Sequence, residues 1–397
     1  MKHPLEGITV VDFSMIASGP YCSQNLADMG ARVIRVEPLG GDELRKGGPP
    51  FINDEGSYYM ALNRNKESIA LNLTTEAGQK VAHALCAKAD VVIENFTPSV
   101  PAKLGIDYDT LKALNPELIY LAISGYGDSG PYKDRPGLDL VFQGMAGMMS
   151  LTGEAEGGPM RSPVAIVDMN TAVYASYAIM VALWGREKGQ GGQRIEISMF
   201  NVAVAMQSML ISTFLGQGDN LPRKGNRSYT SVTDCFKTKD AYINVSIAVE
   251  KHWKALCDCL GLPELAADPA FADAQSRVKN QDHLCALIAD RFKEKTTGEW
   301  MDIMGKAHFP CGPVNSYQDL LEDPQLKHDG IWLSQPHPKG GDVPNIAFPV
   351  RFSGWQQVNE SAPPVLGQNT RAVLSELGYD DDAITELLQA GIAKTSV

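Results

Sequence analysis

Residues 5–37, LEGITVVDFSMIASGPYCSQNLADMGARVIRVE, carry the reading on which the fold turns. Residues 8–13 (ITVVDF) form a short run rich in β-branched and aromatic side chains, the composition that suits a pleated strand. Ser18-Gly19-Pro20 then punctuates the chain, 21–29 follows a helical pattern, and 32–37 (RVIRVE) is a second strand. A strand, a crossover helix and a strand make a parallel pair with a right-handed connection. The alternation recurs: a helix at 75–88, a strand at 90–94 (DVVIE), a helix near 109–113 and a strand at 118–123 (LIYLAI). After Asp168 a long helical pattern reaches about 186, and QRIEISM follows as a strand. The class is α/β with a parallel sheet.

Beyond this alternation the character changes. GQGDNLPRKGNRS, from Gly216, reads as a linker or exposed loop. Short strands in DCFKTKD and AYINVSIA, with helices around 250–260, 276–293 and 298–306, indicate a smaller α+β domain. Residues 323–350 read as loop-rich, with prolines at 324, 336, 338, 344 and 349. Helices at 368–377 and 380–390 close the chain, with Gly378 as a C-terminal cap between them.

The 397 residues allow two or three domains, and the formal net charge of -12 disfavours nucleic acid as a partner, because an acidic surface repels phosphate. The seven cysteines include no C-x-x-C pair, which suits reduced thiols in a cytoplasmic protein. The N-terminal stretch lacks the pattern of a secretory signal, and the apolar stretch 172–184 is short of a membrane span, so no membrane is expected. None of the seven histidines pairs at i,i+4 with another, so no metal site is expected.

Several stretches could carry chemistry. The first strand–helix turn lacks G-x-G-x-x-G, so Glu37 at the end of the second strand is a weak sign of a dinucleotide. ISGYGDSGP at 123–131 could bring backbone N–H groups close to an acyl or phosphate oxygen, or be a surface turn. Arg64, Lys66, Lys103, Lys133 and Arg135 are candidates for gripping a polyphosphate, each with solvation as the alternative. Asp168, after PVAIV and just ahead of a long helix, fits a helix cap. The same position would suit an ionised, partly buried nucleophile.

Long motifs then match a known family. The opening stretch through GGDELR, NRNKESIALNL, DVVIENFTPSVPAKLGIDYDTLKALNPELIYLAISGYGDSGP, AIVDMNTAVYASYAIMVALWGREKGQGGQRIEISMF and GYDDDAITELLQAGIA together resemble the family III CoA-transferases, in order and over essentially the whole chain. The resemblance implies a Rossmann-like large domain formed by both chain termini (1–220 and 325–397) and an inserted small α+β domain (221–324), in an interlocked homodimer. It places the nucleophile on Asp168 and contacts to CoA on Leu71, Asn95, Phe96 and Lys103, near Arg64, Lys66 and Arg135. Acyl-CoA and small carboxylic acids are then the substrates, with no permanently bound cofactor. Asp139 has two readings, a helix cap or a group that holds substrate or the Asp168 region.

The departures narrow the activity. A CoA-contacting arginine of formyl-CoA transferase is Pro38 here, a lysine position is Pro136, and no run of four glycines occurs near 225–235. GGPPF, SYYMALNRNK and YDDDAITELL are more similar to succinate-dependent dicarboxylate transferases. A racemase of the 2-methylacyl-CoA type is the alternative, but its Gly-His-Asp run is Gly137-Leu138-Asp139 here, and leucine exchanges no proton. A non-catalytic CoA-binding homologue is the other, and Asp168 speaks against it.

Overall fold

A computed structural model describes residues 3–48, 50–52, 54–358 and 361–396. The chain divides into two compact units. One holds the segments up to Met148, Arg161–Gln217 and Lys327 onward, and the other holds Met149–Met160 and Gly218–Leu326.

The first unit is built on one sheet. Its strands are β1 (Thr9–Asp12), β2 (Arg32–Glu37), β3 (Lys66–Leu71), β4 (Val91–Glu94), β5 (Ile119–Ser124), β6 (Gln193–Ser198) and β7 (Ala393–Lys394). Their order is β7-β3-β2-β1-β4-β5-β6, parallel throughout except for β7, which pairs antiparallel with β3. The tail therefore completes the sheet that the N-terminal part begins. Both faces are covered, as a parallel sheet requires. Val10, Val33, Val91, Ile119 and Leu121 face one core with Leu26 and Ala172. Val11, Ile34, Val92 and Tyr120 face the other with Val81, Leu85 and Leu374. Burial on both sides is why these strands read as nearly continuous apolar runs.

Three helices matter for the site: α1 (Ser18–Asp28), α2 (Asp139–Met145) and α3 (Ile166–Glu187). At 22 residues, α3 exceeds the 172–184 stretch anticipated from sequence and is long and apolar enough to cross a membrane by length and composition alone. One stripe of it, Ala172, Ala175, Ile179 and Ala182, is buried in the core that also holds Leu26 of α1. The other stripe, Val173, Tyr174, Tyr177, Val181 and Trp184, is exposed.

A cluster of buried charges lies at the ends of β1 and β2. Arg35 pairs with Asp12 at 3.5 Å and with Asp42. Arg45 grips Glu37 through two contacts of 2.7 Å, and Ser68 Oγ donates to the same carboxylate at 2.7 Å. Burial pushes the Glu37 carboxyl up, but the bonds from Arg45 and Ser68 and the charge of Arg35 outweigh it and hold it down at about 2.

The second unit carries an antiparallel sheet ordered Cys311–Pro313, Tyr242–Ile247, Val232–Lys237. Trp253, Phe292 and Trp300 fill its core, and Trp300 Nε1 donates to the Phe292 carbonyl at 2.9 Å. The helix expected over 276–293 is two, Ala274–Lys279 and Gln281–Phe292. Asn280 parts them, with its side-chain amide on the carbonyls of Ala270 and Ser276. The excursion 149–160 joins this unit, its Gly153 carbonyl accepting the Gly225 N–H at 3.0 Å. Within 323–350, read from sequence as loop, a hairpin pairs Trp332–Pro336 with Asp342–Ile346. A two-stranded hairpin leaves free edges where Pro336 and Pro344 cost no ladder bond.

The Glu37 pairing predicts acid sensitivity. A carboxyl held at about 2 when folded and near its ordinary value when unfolded contributes fully above about 4.5 and is lost as pH falls towards 2. Urea unfolding from pH 6 to pH 2 should show this slope, and Glu37→Gln should remove on the order of 3 kcal/mol of it.

Candidate active site

The six parallel strands run in the order β3-β2-β1-β4-β5-β6, so the chain direction across the sheet reverses between β1 and β4. At such a point the loops after two neighbouring strands part and leave a crevice. A cavity of about 120 Å³ opens there, lined among others by Ile16, Ser18, Asn95, Phe96, Arg135 and Asp168.

Asp168 is the third residue of α3, not the residue ahead of it as the sequence suggested. The cap is supplied from elsewhere. Ala165 stands at the N-cap with no side chain able to accept, and Asp139 Oδ1 takes the N–H groups of Val167 at 2.7 Å and Asp168 at 3.2 Å. Asp139 is itself steadied by Gln143 Nε2 at 2.5 Å, while Gln143 Oε1 accepts the Ser162 N–H at 2.9 Å. Capping a helix and holding the Asp168 region are thus one contact.

The electrostatics of Asp168 are a balance. Burial pushes its carboxyl up, the nearby Asp139 charge adds to that, and a hydrogen bond with the Ser18 side chain pulls the other way; the result is about 7. Ser18, first residue of α1, escaped the sequence reading. Its only local signal was a small polar residue opening the Ser-Gly-Pro turn after β1.

The turn before α1 is held residue by residue. The Ser14 N–H donates to Asp12 Oδ1 at 2.9 Å, the Met15 N–H to Asn95 Oδ1 at 2.8 Å, and the Ile16 N–H to Asp42 Oδ2 at 3.0 Å. Asn95 Nδ2 returns a bond to the Met15 carbonyl at 2.7 Å. Ile16 has φ 67, a left-handed conformation that costs a β-branched residue about 1–3 kcal/mol. Beyond it, the N–H groups of Ala17, Ser18 and Gly19 have no protein acceptor among the described residues. They form the positive end of an eleven-residue helix at the cavity that holds Asp168. The loop 123–131 is less available than expected: the Gly127 N–H is on Ser124 Oγ at 2.9 Å and the Asp128 N–H on Glu196 at 2.7 Å.

The basic residues separate into two groups. Arg64 and Lys66 are buried and committed inward, which removes them from any phosphate site. Arg64 forks onto Asp28 and also reaches Asn345 at 3.2 Å. Lys66 Nζ donates to the Pro20 carbonyl and Asn63 Oδ1, both at 2.8 Å. Arg135 and Lys133 are exposed and line the Asp168 cavity, with the Arg135 guanidinium 4.0 Å from the Tyr132 ring centroid. Lys103 is exposed beside Leu104. Leu104, Leu71 and Phe96 line a second cavity of about 330 Å³, mostly apolar, with Phe13, Val36 and Leu39. Phe96 borders both cavities. Lys394 Nζ donates to the Leu39 carbonyl at 3.3 Å, a cation at this rim that the sequence reading missed. Asn95 meets the loop backbone through both ends of its amide. Leu138 lines the Asp168 cavity with an exposed side chain that exchanges no proton.

Comparison with known proteins agrees on one family. The sequence profile of CoA-transferase family III matches residues 5–370. A succinyl-CoA:glutarate CoA-transferase from Homo sapiens is 36% identical over 393 residues, covering 98% of this chain and 90% of its own. A succinate–glutarate CoA-transferase from Agrobacterium fabrum is 35% identical over 384 residues, covering 95% and 96%. The crystal structure of a CAIB/BAIF family protein from Brucella suis has a TM-score of 0.86 at 36% identity, covering 95% of this chain and all of that one.

The balance at Asp168 predicts opposite shifts from its two neighbours. Carboxyl-resolved NMR of labelled aspartate should place its midpoint at about 7. Ser18→Ala removes a bond to the charged form and should move the midpoint up. Asp139→Asn removes a like charge and should move it down.

Proposed function

The chain belongs to CoA-transferase family III, and on that premise we propose that it moves CoA from succinyl-CoA, or a similar dicarboxylic thioester, to a second carboxylic acid, with Asp168 as the covalent nucleophile. The observation that carries this reading is a carboxylate at the switch point, half removed from water, with unoccupied backbone donors of α1 bordering the same cavity.

The steps balance without any outside reagent. An Asp168 oxygen attacks the thioester carbonyl and the C–S bond breaks, giving an aspartyl anhydride and CoA thiolate. The thiolate adds to the aspartyl carbonyl and expels the first acid, leaving CoA on Asp168 as a thioester. The acceptor carboxylate attacks that thioester, releasing CoA thiolate and forming a second anhydride. The thiolate then takes the acceptor acyl group and returns Asp168 to its carboxylate. Each adduct keeps the acyl group activated, which an ester on a serine would not.

Each oxyanion needs donors arranged beforehand, and the Ala17, Ser18 and Gly19 N–H groups suit that role. Removing water from a carboxylate raises its nucleophilicity and protects the anhydride from hydrolysis. The apolar cavity at Leu71 and Phe96 suits the base and arm of CoA, with Lys103 and Lys394 near its mouth for phosphate. Arg135 and Lys133 beside Asp168 suit the second carboxylate of a dicarboxylic acyl group. The exposed apolar stripe of α3 fits coverage by a second copy in the interlocked dimer that the family resemblance implies.

Asp168→Asn tests the reading. CoA transfer from succinyl-CoA to glutarate should fall by about 10⁴-fold or more while CoA binding measured by calorimetry stays near the wild-type value. Retained transfer would overturn the assignment, and solvent exchange of an α-proton without an acceptor acid would favour the racemase instead.

A further inference from the structure

We infer that Asp42 is a positioning residue for Asp168, acting through the left-handed turn at Ile16; this rests on the nucleophile assignment above. Asp42 has no solvent exposure and is fixed from several directions. Its Oδ2 receives both the Ile16 N–H at 3.0 Å and the Arg35 guanidinium. Its Oδ1 takes the Leu44 N–H at 2.8 Å, capping the short helix Glu43–Lys46, and its own N–H reaches Glu37 Oε2 at 3.1 Å. An acceptor held this firmly dictates where the Ile16 N–H points.

That direction is one Ile16 would not choose. At φ 67 its Cβ crowds the backbone, and its side chain is 40% exposed, so core packing does not compensate. The turn is tight for a steric reason as well: a Cβ at Gly19 would lie 2.2 Å from that of Ser14, so the chain folds back on itself within this span. What leaves the turn is the first turn of α1, carrying the Ser18 side chain onto Asp168 and the free N–H groups of Ala17, Ser18 and Gly19. If Ile16 relaxed to a right-handed or extended conformation, the chain would enter α1 along another line and these donors would leave Asp168. A buried ion pair thus reaches the nucleophile through three residues of backbone. The role of Asp42 is geometric, because it does not itself line the cavity and reaches it only through the backbone N–H of Ile16.

The test is a double-substitution cycle of Asp42→Asn with Ile16→Gly, since glycine adopts the left-handed conformation without strain. Acylation of residue 168 by succinyl-CoA is read as hydroxylamine-trapped hydroxamate, with the pH profile and melting temperature of all four proteins. With Ile16 in place, Asp42→Asn should slow acylation about tenfold, with little change in KM, and shift the pH midpoint upward as the Ser18 bond is lost. In the Ile16→Gly protein the same substitution should cost less than about threefold. An equal loss in both backgrounds, or a lower melting temperature with unchanged acylation, overturns the inference. If Asp42→Asn does not fold, Asp42→Glu, which keeps the charge on Arg35 but displaces the acceptor, takes its place in the same cycle. A wild-type protein that yields no hydroxamate at residue 168 instead brings down the nucleophile reading itself.

Discussion

In the proposed transfer one carboxylate has to lose water without losing its charge, and the arrangement around the switch point meets that constraint. Burial and Asp139 favour the neutral form of Asp168, while Ser18 and the first turn of α3 favour the ionised one. Poised at about 7, the group suits the attack proposed for it, ionised often enough and poorly enough hydrated. Neither helix alone sets this balance. The α1 end supplies donors, the α3 end carries the proposed nucleophile, and Asp139 on α2 fixes the α3 end by bonding its backbone.

Beneath that site the chain is stiffened by buried charge. Asp12, Arg35, Glu37, Asp42 and Arg45 are all buried, and each finds a partner of opposite sign. Such a cluster is weak evidence for stability, because desolvating the ions offsets much of their attraction. Its value here is directional: its Asp12 and Asp42 oxygens take the Ser14 and Ile16 N–H groups, and the Asn95 amide oxygen takes the Met15 N–H between them. Apolar packing could have filled the same volume without specifying those three directions.

Much of the fold was legible in the sequence because parallel strands are buried on both faces, so β1, β2, β4 and β5 stand out as apolar runs. Helix ends were legible where a cap is local, as with Gly378 after Thr370–Glu376. Asp168 was a different matter. Its immediate surroundings read first as a helix cap, and the family motifs rather than local chemistry singled it out as a nucleophile. Arg64 and Lys66 were read as exposed cations because most are. Their partners Asp28 and the Pro20 carbonyl are brought to them only by folding. Ser18 and Asp42 were missed for the same reason, since each acts through a contact distant in sequence or through backbone geometry that no residue pattern encodes.

Oxygen tracing tests the covalent account most directly. Wild-type protein turning over succinyl-CoA with an acceptor acid carrying ¹⁸O in its carboxylate should leave one labelled oxygen on the Asp168 side chain. On later turnovers that oxygen should pass into the released succinate. Acceptor acyl-CoA formed in full yield with no label in the residue 168 peptide would contradict it, because direct transfer through a mixed anhydride of the two acids passes the acceptor oxygen straight into succinate and never onto the protein.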